Sequence, residues 1–388
     1  MSTRSGAQSP LADVVLVANE VGGVGGMERQ LEQLVGGLLA SGSRVVVIAR
    51  RCEVAQHERL RFVRVRCPAR PFTVAYPAFF VAASMLACRH RGAVMHTTGA
   101  IIANRADVSS VHYCHRAATT IISTSRASRP SALYRLNARI AEILSRAGEG
   151  WCYRPTRTKL LCAVSSGLAS EIGRAFPRMV PHVRTVPNGV DTTEFRPDAA
   201  ARSAVRESLG LEGDALVALF VGGDWDRKGL SYAVDALSLA ARWHLVVAGE
   251  GDAEAFRRRA KEAGVADRLH LRGAVGHMAP LYAAADAFVL PTAYETFSLV
   301  TYEAAASGLA LLVTRVSGVE DVLRDGSNGW FIERDASDIA RRLTALASDL
   351  ELMRRMAGRA RDDAQAFGWP AMVAGYEAAY REVANADR

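Results

Sequence analysis

Two glutamates, Glu295 and Glu303, lie in the stretch Pro291-Thr292-Ala293-Tyr294-Glu295-Thr296-Phe297-Ser298-Leu299-Val300-Thr301-Tyr302-Glu303. The apolar run before it, Asp286-Ala287-Phe288-Val289-Leu290, reads as a buried strand, and the pattern after it as a helix ending at Gly308. Glu295 then falls on the strand-to-helix loop and Glu303 on the helix. Such a junction leaves backbone N–H groups free beside the positive helix end, which suits an anionic phosphate. Two carboxylates flanking that anion can accept hydrogen bonds from sugar hydroxyls. The plainer alternative makes Glu295 a helix cap and Glu303 a solvated side chain.

A second group is Phe220-Val221-Gly222-Gly223-Asp224-Trp225-Asp226-Arg227-Lys228-Gly229. Arginine can hold phosphate oxygens bidentately and lysine adds a compact charge, so Arg227 and Lys228 at a strand end can meet a diphosphate. A solvated turn is the competing reading. The next strand ends in another glycine-rich turn on the same edge, Gly249-Glu250-Gly251-Asp252. Near the start, Gly22-Gly23-Val24-Gly25-Gly26-Met27-Glu28-Arg29 opens a helix, and its small residues let the backbone approach a ligand. It is not a dinucleotide fingerprint. Counted from Gly23, the last glycine slot holds Glu28, and the second strand ends in Arg50-Arg51 where an acidic residue would hold the ribose. His112 and His115 follow a strand ending Ser109-Ser110-Val111, and each is either a ligand contact or a structural histidine. The sequence contains no Walker loop, no Gly-x-Ser-x-Gly elbow and no His/Cys/Asp cluster with metal-ligand spacing.

Positioning these groups requires strands and helices in strict alternation, and the chain supplies it. Strand-like runs in the first half are Asp13–Ala18, Arg44–Ala49, Leu60–Val65, Ala93–His96, Val108–His112, Leu160–Val164 and Val183–Val186. In the second half they are Leu216–Val221, His244–Ala248, Leu269–Leu271, Ala287–Leu290, Leu309–Val313 and Gly329–Ile332. Helical patterns fall between them, among them Met27–Ala40, Leu230–Arg242 and Ala253–Ala263. This predicts an α/β protein with parallel sheets, right-handed crossovers and ligands at the carboxyl ends of strands. Pro187-Asn188-Gly189-Val190-Asp191 is a turn signal followed by a polar tract without strand pattern. The expected division is residues 1–190 and 191–368 as two doubly wound domains, with 369–388 a last helix crossing back to the first.

The chain's 388 residues can bury two cores, and 49% apolar content marks a globular protein. A net charge of +8 comes with arginines spread throughout and no basic run interleaved with aromatics, which argues against nucleic acid and for anionic substrates. Six cysteines, all in the first half and without metal or redox spacing, fit a reducing cytoplasm, as does the absence of a secretory leader. Met1 to Pro10 is polar and expected to be loose. Phe72 to Cys88 is apolar and followed by Arg89-His90-Arg91, yet it is short for a membrane span and contains Pro77. A buried domain helix is the expectation, with weak peripheral contact at the inner membrane face as the alternative.

Together the motifs resemble the retaining, nucleotide-sugar-dependent family-4 glycosyltransferases of the GT-B fold. The resemblance rests on Gly25-Gly26-Met27-Glu28, Pro187-Asn188-Gly189-Val190-Asp191, Arg227-Lys228-Gly229, Glu295 with Glu303, and Asp325-Gly326-Ser327-Asn328-Gly329, in order over nearly the whole chain. It implies that Glu303 holds the ribose hydroxyls of the nucleotide and Glu295 the donor sugar. Backbone N–H groups of Thr296, Phe297, Ser298, Leu299 and Val300 would line sugar and phosphate, and Arg227 and Lys228 would stabilise the departing diphosphate. Gly25 and Gly26 would let the first domain close over donor and acceptor, with Gly223 and Gly249 on the facing turns. Gly273, Ala274 and Val275, in the tract ending at Gly276, would lie beside the nucleobase. The sugar-contacting histidine maps to His112, with His115 as runner-up.

Many members carry arginine where this chain has Gly223, so the segment is closer to the lipopolysaccharide-core glucosyltransferase branch. The resemblance further implies a hexosyl or N-acetylhexosaminyl transfer without metal or bound cofactor, from a UDP-sugar or GDP-sugar. An envelope glycan, a lipid-linked saccharide and a small natural product all fit as acceptor, since loops such as Cys52–His57 and Thr119–Arg129 carry no readable code. A nucleotide-sugar epimerase of the same fold is the alternative activity.

Overall fold

The computed structural model describes residues 13–386 apart from 24, 91, 119–131 and 213. The Met1 to Pro10 tail and the Thr119–Arg129 loop lie outside the described residues. Two parallel sheets organise the chain. The first has seven strands in the spatial order Leu60–Arg64, Val45–Ala49, Val14–Val17, Val94–Thr98, Ala106–Val111, Thr158–Ala163 and Val183–Thr185. The second has six, in the order Leu269–Leu271, Trp243–Ala248, Leu216–Val221, Ala287–Leu290, Ala310–Val313 and Gly329–Phe331. In both, the earliest strand is central and the chain winds outward first to one side and then to the other. Each sheet therefore has a switch point, with a crevice at the carboxyl ends of the two strands beside it. The central strands are buried along their whole length, as continuous Val/Leu/Ala runs require when helices cover both faces.

All thirteen expected runs are strands, some a residue or two shorter or longer. Two further strands of two residues each, Glu20–Val21 and Arg51–Cys52, pair in parallel beside the first sheet, so the start of the expected Cys52–His57 loop is ribbon. The expected Leu230–Arg242 helix stops at Leu239, because Ala240 leaves helical geometry before the strand at Trp243. The helix expected over Met27–Ala40 spans Gly26–Ala40 and buries Leu31, Leu34, Val35, Leu38 and Leu39, the stripe of a helix lying on a sheet.

The last helix, Trp369–Asn385, packs against Gly26–Ala40 and the first sheet, filling that core with Met372, Tyr376 and Tyr380. A side chain at Gly37 would come within 2.5 Å of Val373, so glycine there sets how closely the two helices approach. Under the sheet, His96 Nδ1 lies 2.7 Å from the Tyr380 hydroxyl.

The apolar helix at Phe72–Ala87 corrects one expectation. It buries Ala75, Phe79, Ala83 and Ala87, but Val74, Val81 and Met85 are each more than half exposed. It is a surface helix whose outer face is apolar. No helix among the described residues is long and apolar enough to cross a membrane.

Candidate functional site

The switch point of the second sheet brings Arg227, Lys228 and Glu295 together. Leu216–Val221 ends at Gly222, and a single helical turn, Trp225–Lys228, follows between left-handed residues Asp224 and Gly229. Arg227 Nε reaches Asp224 at 2.8 Å, and Arg334 donates to the carbonyls of Arg227 and Asp226 at 3.0 and 3.1 Å, which ties the turn down. Ala287–Leu290 leads into the loop bearing Glu295. Its Oε1 accepts from Lys228 Nζ at 3.1 Å, Arg227 Nη1 at 3.3 Å and Thr292 Oγ1 at 3.2 Å. Lys228 is buried, so its ion pair with Glu295 lies in a poorly solvated place.

That loop ends at Ser298, whose φ of 64° is left-handed in a non-glycine residue. The helix Leu299–Ala306 starts there. The Ser298 hydroxyl is engaged with Thr301 Oγ1 at 2.8 Å and caps no backbone N–H, so the N-cap leaves the first-turn amides of Leu299 and Val300 without a side-chain acceptor from Ser298. Phe297 is stacked on Tyr302, with ring centroids 4.1 Å apart. Thr296, Ser298, Leu299 and Val300 complete the turn that was read as the sugar and phosphate lining.

Glu303 is buried, which rules out the solvated alternative. The Tyr282 hydroxyl donates to it at 2.8 Å, and burial pushes its pKa up to about 7. It faces a small cavity of about 80 Å³ lined in part by Arg29 and Gln33 of the first helix and by Asp191 and Glu194. The first domain thus reaches the second at this point, and Gly26, next to Gly25 at the helix start, faces Leu299.

On the neighbouring turns, the Gly222 amide donates to Ala248 O and the Gly249 amide to Gly273 O, both at 2.8 Å. This aligns Gly222, Gly249 and Gly273 along one edge, with Ala274 exposed and Val275 half-buried just beyond. Gly222, next to the expected Gly223, is the conformationally constrained position of the two. Its φ is +135°, and a Cβ there would lie 2.6 Å from Lys228 Cδ and Cε. The lysine stem crosses directly over this glycine.

The switch point of the first sheet holds a cavity of about 180 Å³. Asn19, Thr98, Gly99, Ser110 and both His112 and His115 line it, together with Phe72, Tyr76 and Glu149 from two covering helices. His112 ends the Ala106–Val111 strand. Its Nε2 is buried without a partner, and burial lowers its pKa to about 4, so the ring is neutral near pH 7. The two histidines were alternatives in the sequence; in the fold they share one cavity. Glu149, which sequence reading missed, accepts from the backbone amides of His115 and Arg116 at 2.6 and 3.0 Å and so fixes this loop. The Tyr113 ring meets Tyr294 edge-on at 6.0 Å, joining the histidine loop to the loop of Glu295.

Residues 24–194 match the family model described as Glycosyltransferase Family 4, and residues 215–349 match the one described as Glycosyl transferases group 1. A D-inositol 3-phosphate glycosyltransferase of Streptomyces avermitilis is 32% identical over 245 residues, which is 59% of this chain and 53% of that protein. An alpha-maltose-1-phosphate synthase of Mycobacterium tuberculosis is 31% identical over 235 residues, 53% of this chain and 59% of that one. The matched segments thus span little more than half the length of these relatives. Among solved structures, WaaG, a glycosyltransferase involved in lipopolysaccharide biosynthesis, superposes with a TM-score of 0.75 at 19% identity, over 94% of this chain and 98% of its own. Anabaena HepE in complex with UDP-glucose gives 0.68 at 17% identity, over 97% and 99%. With both halves matched in order and the two-sheet architecture shared end to end, the chain belongs to the family-4, group-1 glycosyltransferases and has their GT-B fold.

Proposed function

We propose that the protein transfers a hexosyl or N-acetylhexosaminyl group from a nucleotide-diphosphate sugar to an acceptor hydroxyl, with retention and without a metal. The observation that carries this reading is the meeting of Arg227, Lys228 and Glu295 at the second sheet's switch point, beside the uncapped start of Leu299–Ala306. Leaving diphosphate develops negative charge as the anomeric bond breaks, and fixed cations and amides aimed there lower the barrier. Glu295 exchanges its cation partners for donor-sugar hydroxyls when the diphosphate arrives. Glu303 takes the ribose and neutral His112 the sugar, while the leaving phosphate accepts the acceptor's proton on the same face. The solved HepE complexes hold UDP and UDP-glucose, which favours UDP-sugars here ahead of GDP-sugars.

The acceptor enters the first-domain cavity between the Phe72–Ala87 and Ala132–Cys152 helices. The second of these is patterned inside out: Ser145 and Glu149 are buried, while Leu136, Ile143 and Trp151 are 55%, 65% and 42% exposed. Exposed Arg139 and Arg146 accompany that apolar stripe, a combination suited to an anionic lipid surface. This favours an acceptor presented at a membrane over one free in solution.

A thermal-shift panel of UDP-, GDP- and ADP-sugars, followed by mass analysis of products with candidate acceptors, tests the activity. Transfer to acceptor supports it. Free isomerised sugar nucleotide would point to an epimerase, and no response to any sugar nucleotide would refute it.

A further inference from the structure

The loop that carries Glu295 belongs to the second domain, yet it is held from the first. The helix Ser166–Ala175 follows the Thr158–Ala163 strand, and its first two turns meet two second-domain segments, 294–296 and 317–321. The Ser165 hydroxyl, which also caps this helix at Leu168 N, donates to Thr296 O at 2.6 Å. Ser166 is bonded to Asp321 through both its amide and its hydroxyl. One turn along, buried Glu171 has both carboxylate oxygens taken by second-domain hydroxyls, Ser317 at 2.7 Å and Tyr294 at 3.2 Å.

Tyr294 is the hub of this contact. Its hydroxyl goes to Glu171, its ring to Tyr113 of the histidine loop, and its carbonyl accepts from Arg227 Nη1 at 2.6 Å. Three directions are thus fixed by one residue adjacent to Glu295. The loop needs such fixing, because Ser298 at its far end is held in left-handed geometry, which persists only where surroundings over-determine it.

We infer that the Glu171–Tyr294 hydrogen bond is a cross-domain strut that positions the Glu295 loop, so that the first domain sets the geometry of the donor site built on the second. Glu171 and Tyr294 are positioning residues and touch no reacting atom. The inference rests on the proposed sugar transfer for its kinetic consequence, but not for its structural one.

The test uses Tyr294→Phe, Glu171→Ala and their double variant, with Glu171→Gln as the conservative replacement, since its amide oxygen still accepts from the tyrosine. Each of the first two lowers kcat about tenfold, the scale set by one hydrogen bond to a charged group, and the double loses no more than the worse single. UDP binding by thermal shift changes little, and Glu171→Gln keeps most of the turnover. Hydrogen exchange, read independently of activity, shows faster exchange at the amides of residues 296–300 in Tyr294→Phe and Glu171→Ala but not in Glu171→Gln. Losses that multiply in the double variant, or unchanged exchange in that segment, would overturn the strut. Should the wild-type protein transfer no sugar at all, the activity assignment fails, and the exchange measurement still decides whether the strut exists.

Discussion

The two edges that face each other across the cleft handle charge in opposite ways. On the second domain, Arg227 and Lys228 are both ion-paired with Glu295. On the first, burial holds His112 neutral and raises the pKa of Glu149, whose oxygens are spent on backbone amides. Paired ions can trade one anion for another with little added desolvation, since the cations are already in place. A neutralised cavity has no such reserve and suits a hydroxyl. On the proposed reading, the contrast sorts diphosphate from acceptor by how each edge has already dealt with its ionisable groups.

The largest effect should come from removing a cation on the charged edge. Lys228→Ala is expected to forfeit roughly 3–4 kcal/mol of transition-state stabilisation, a loss of about a hundred- to a thousandfold in kcat, far larger than its cost to folding stability. A rise in KM with kcat intact would remove Lys228 from the charge-stabilising set.

Glu303 lies where the edges meet, and it sharpens the comparison through pH. Its folded pKa of about 7 is above the usual carboxylate value because of burial, so the folded state holds its proton more tightly than the unfolded chain. That stabilisation is complete below about pH 4.5 and is lost as pH rises through about 7. Glu303→Gln, uncharged throughout, should therefore gain on the wild type between pH 5 and pH 8, by at most about 3 kcal/mol. Parallel unfolding curves at the two pH values would show that Glu303 is already ionised at the lower one.

Next comes Gly222→Ala, which must either strain the +135° backbone or displace the Lys228 stem. A stability cost of about 1–3 kcal/mol accompanied by lower turnover is expected. Gly223→Ala should be milder, its Cβ meeting only Glu250 O at 3.4 Å. Denaturant titration of both variants checks the order. The smallest effect on folding is expected from Ile143→Glu on the neutral side, within about 0.5 kcal/mol because the side chain is exposed. Flotation with phosphatidylglycerol vesicles should nevertheless show weaker binding than wild type. Equal flotation would separate this helix face from any lipid role.

The second domain was the more legible of the two. Arg227, Lys228 and Glu295 stand at strand ends, and continuous apolar strands announce where those ends are, so their meeting follows from the β/α alternation. That Gly222 is the constrained glycine of the pair was not legible, because dihedral angles and a lysine's path are absent from a string of letters. Glu149, Glu171 and Tyr282 were missed for a different reason: each acts on a partner distant in sequence, as Glu171 does on Tyr294, and nothing local marks it. The apolar Phe72–Ala87 segment was read as buried because composition reports how greasy a helix is and not which side faces out.

The closing helix has a consequence for the order of assembly. Met372, Tyr376 and Tyr380 belong to the core of the first domain, yet the ribosome makes them after the whole second domain. The first domain must therefore wait, its flank unsealed, until the second domain has been made. The two halves of the cleft reach their finished form together.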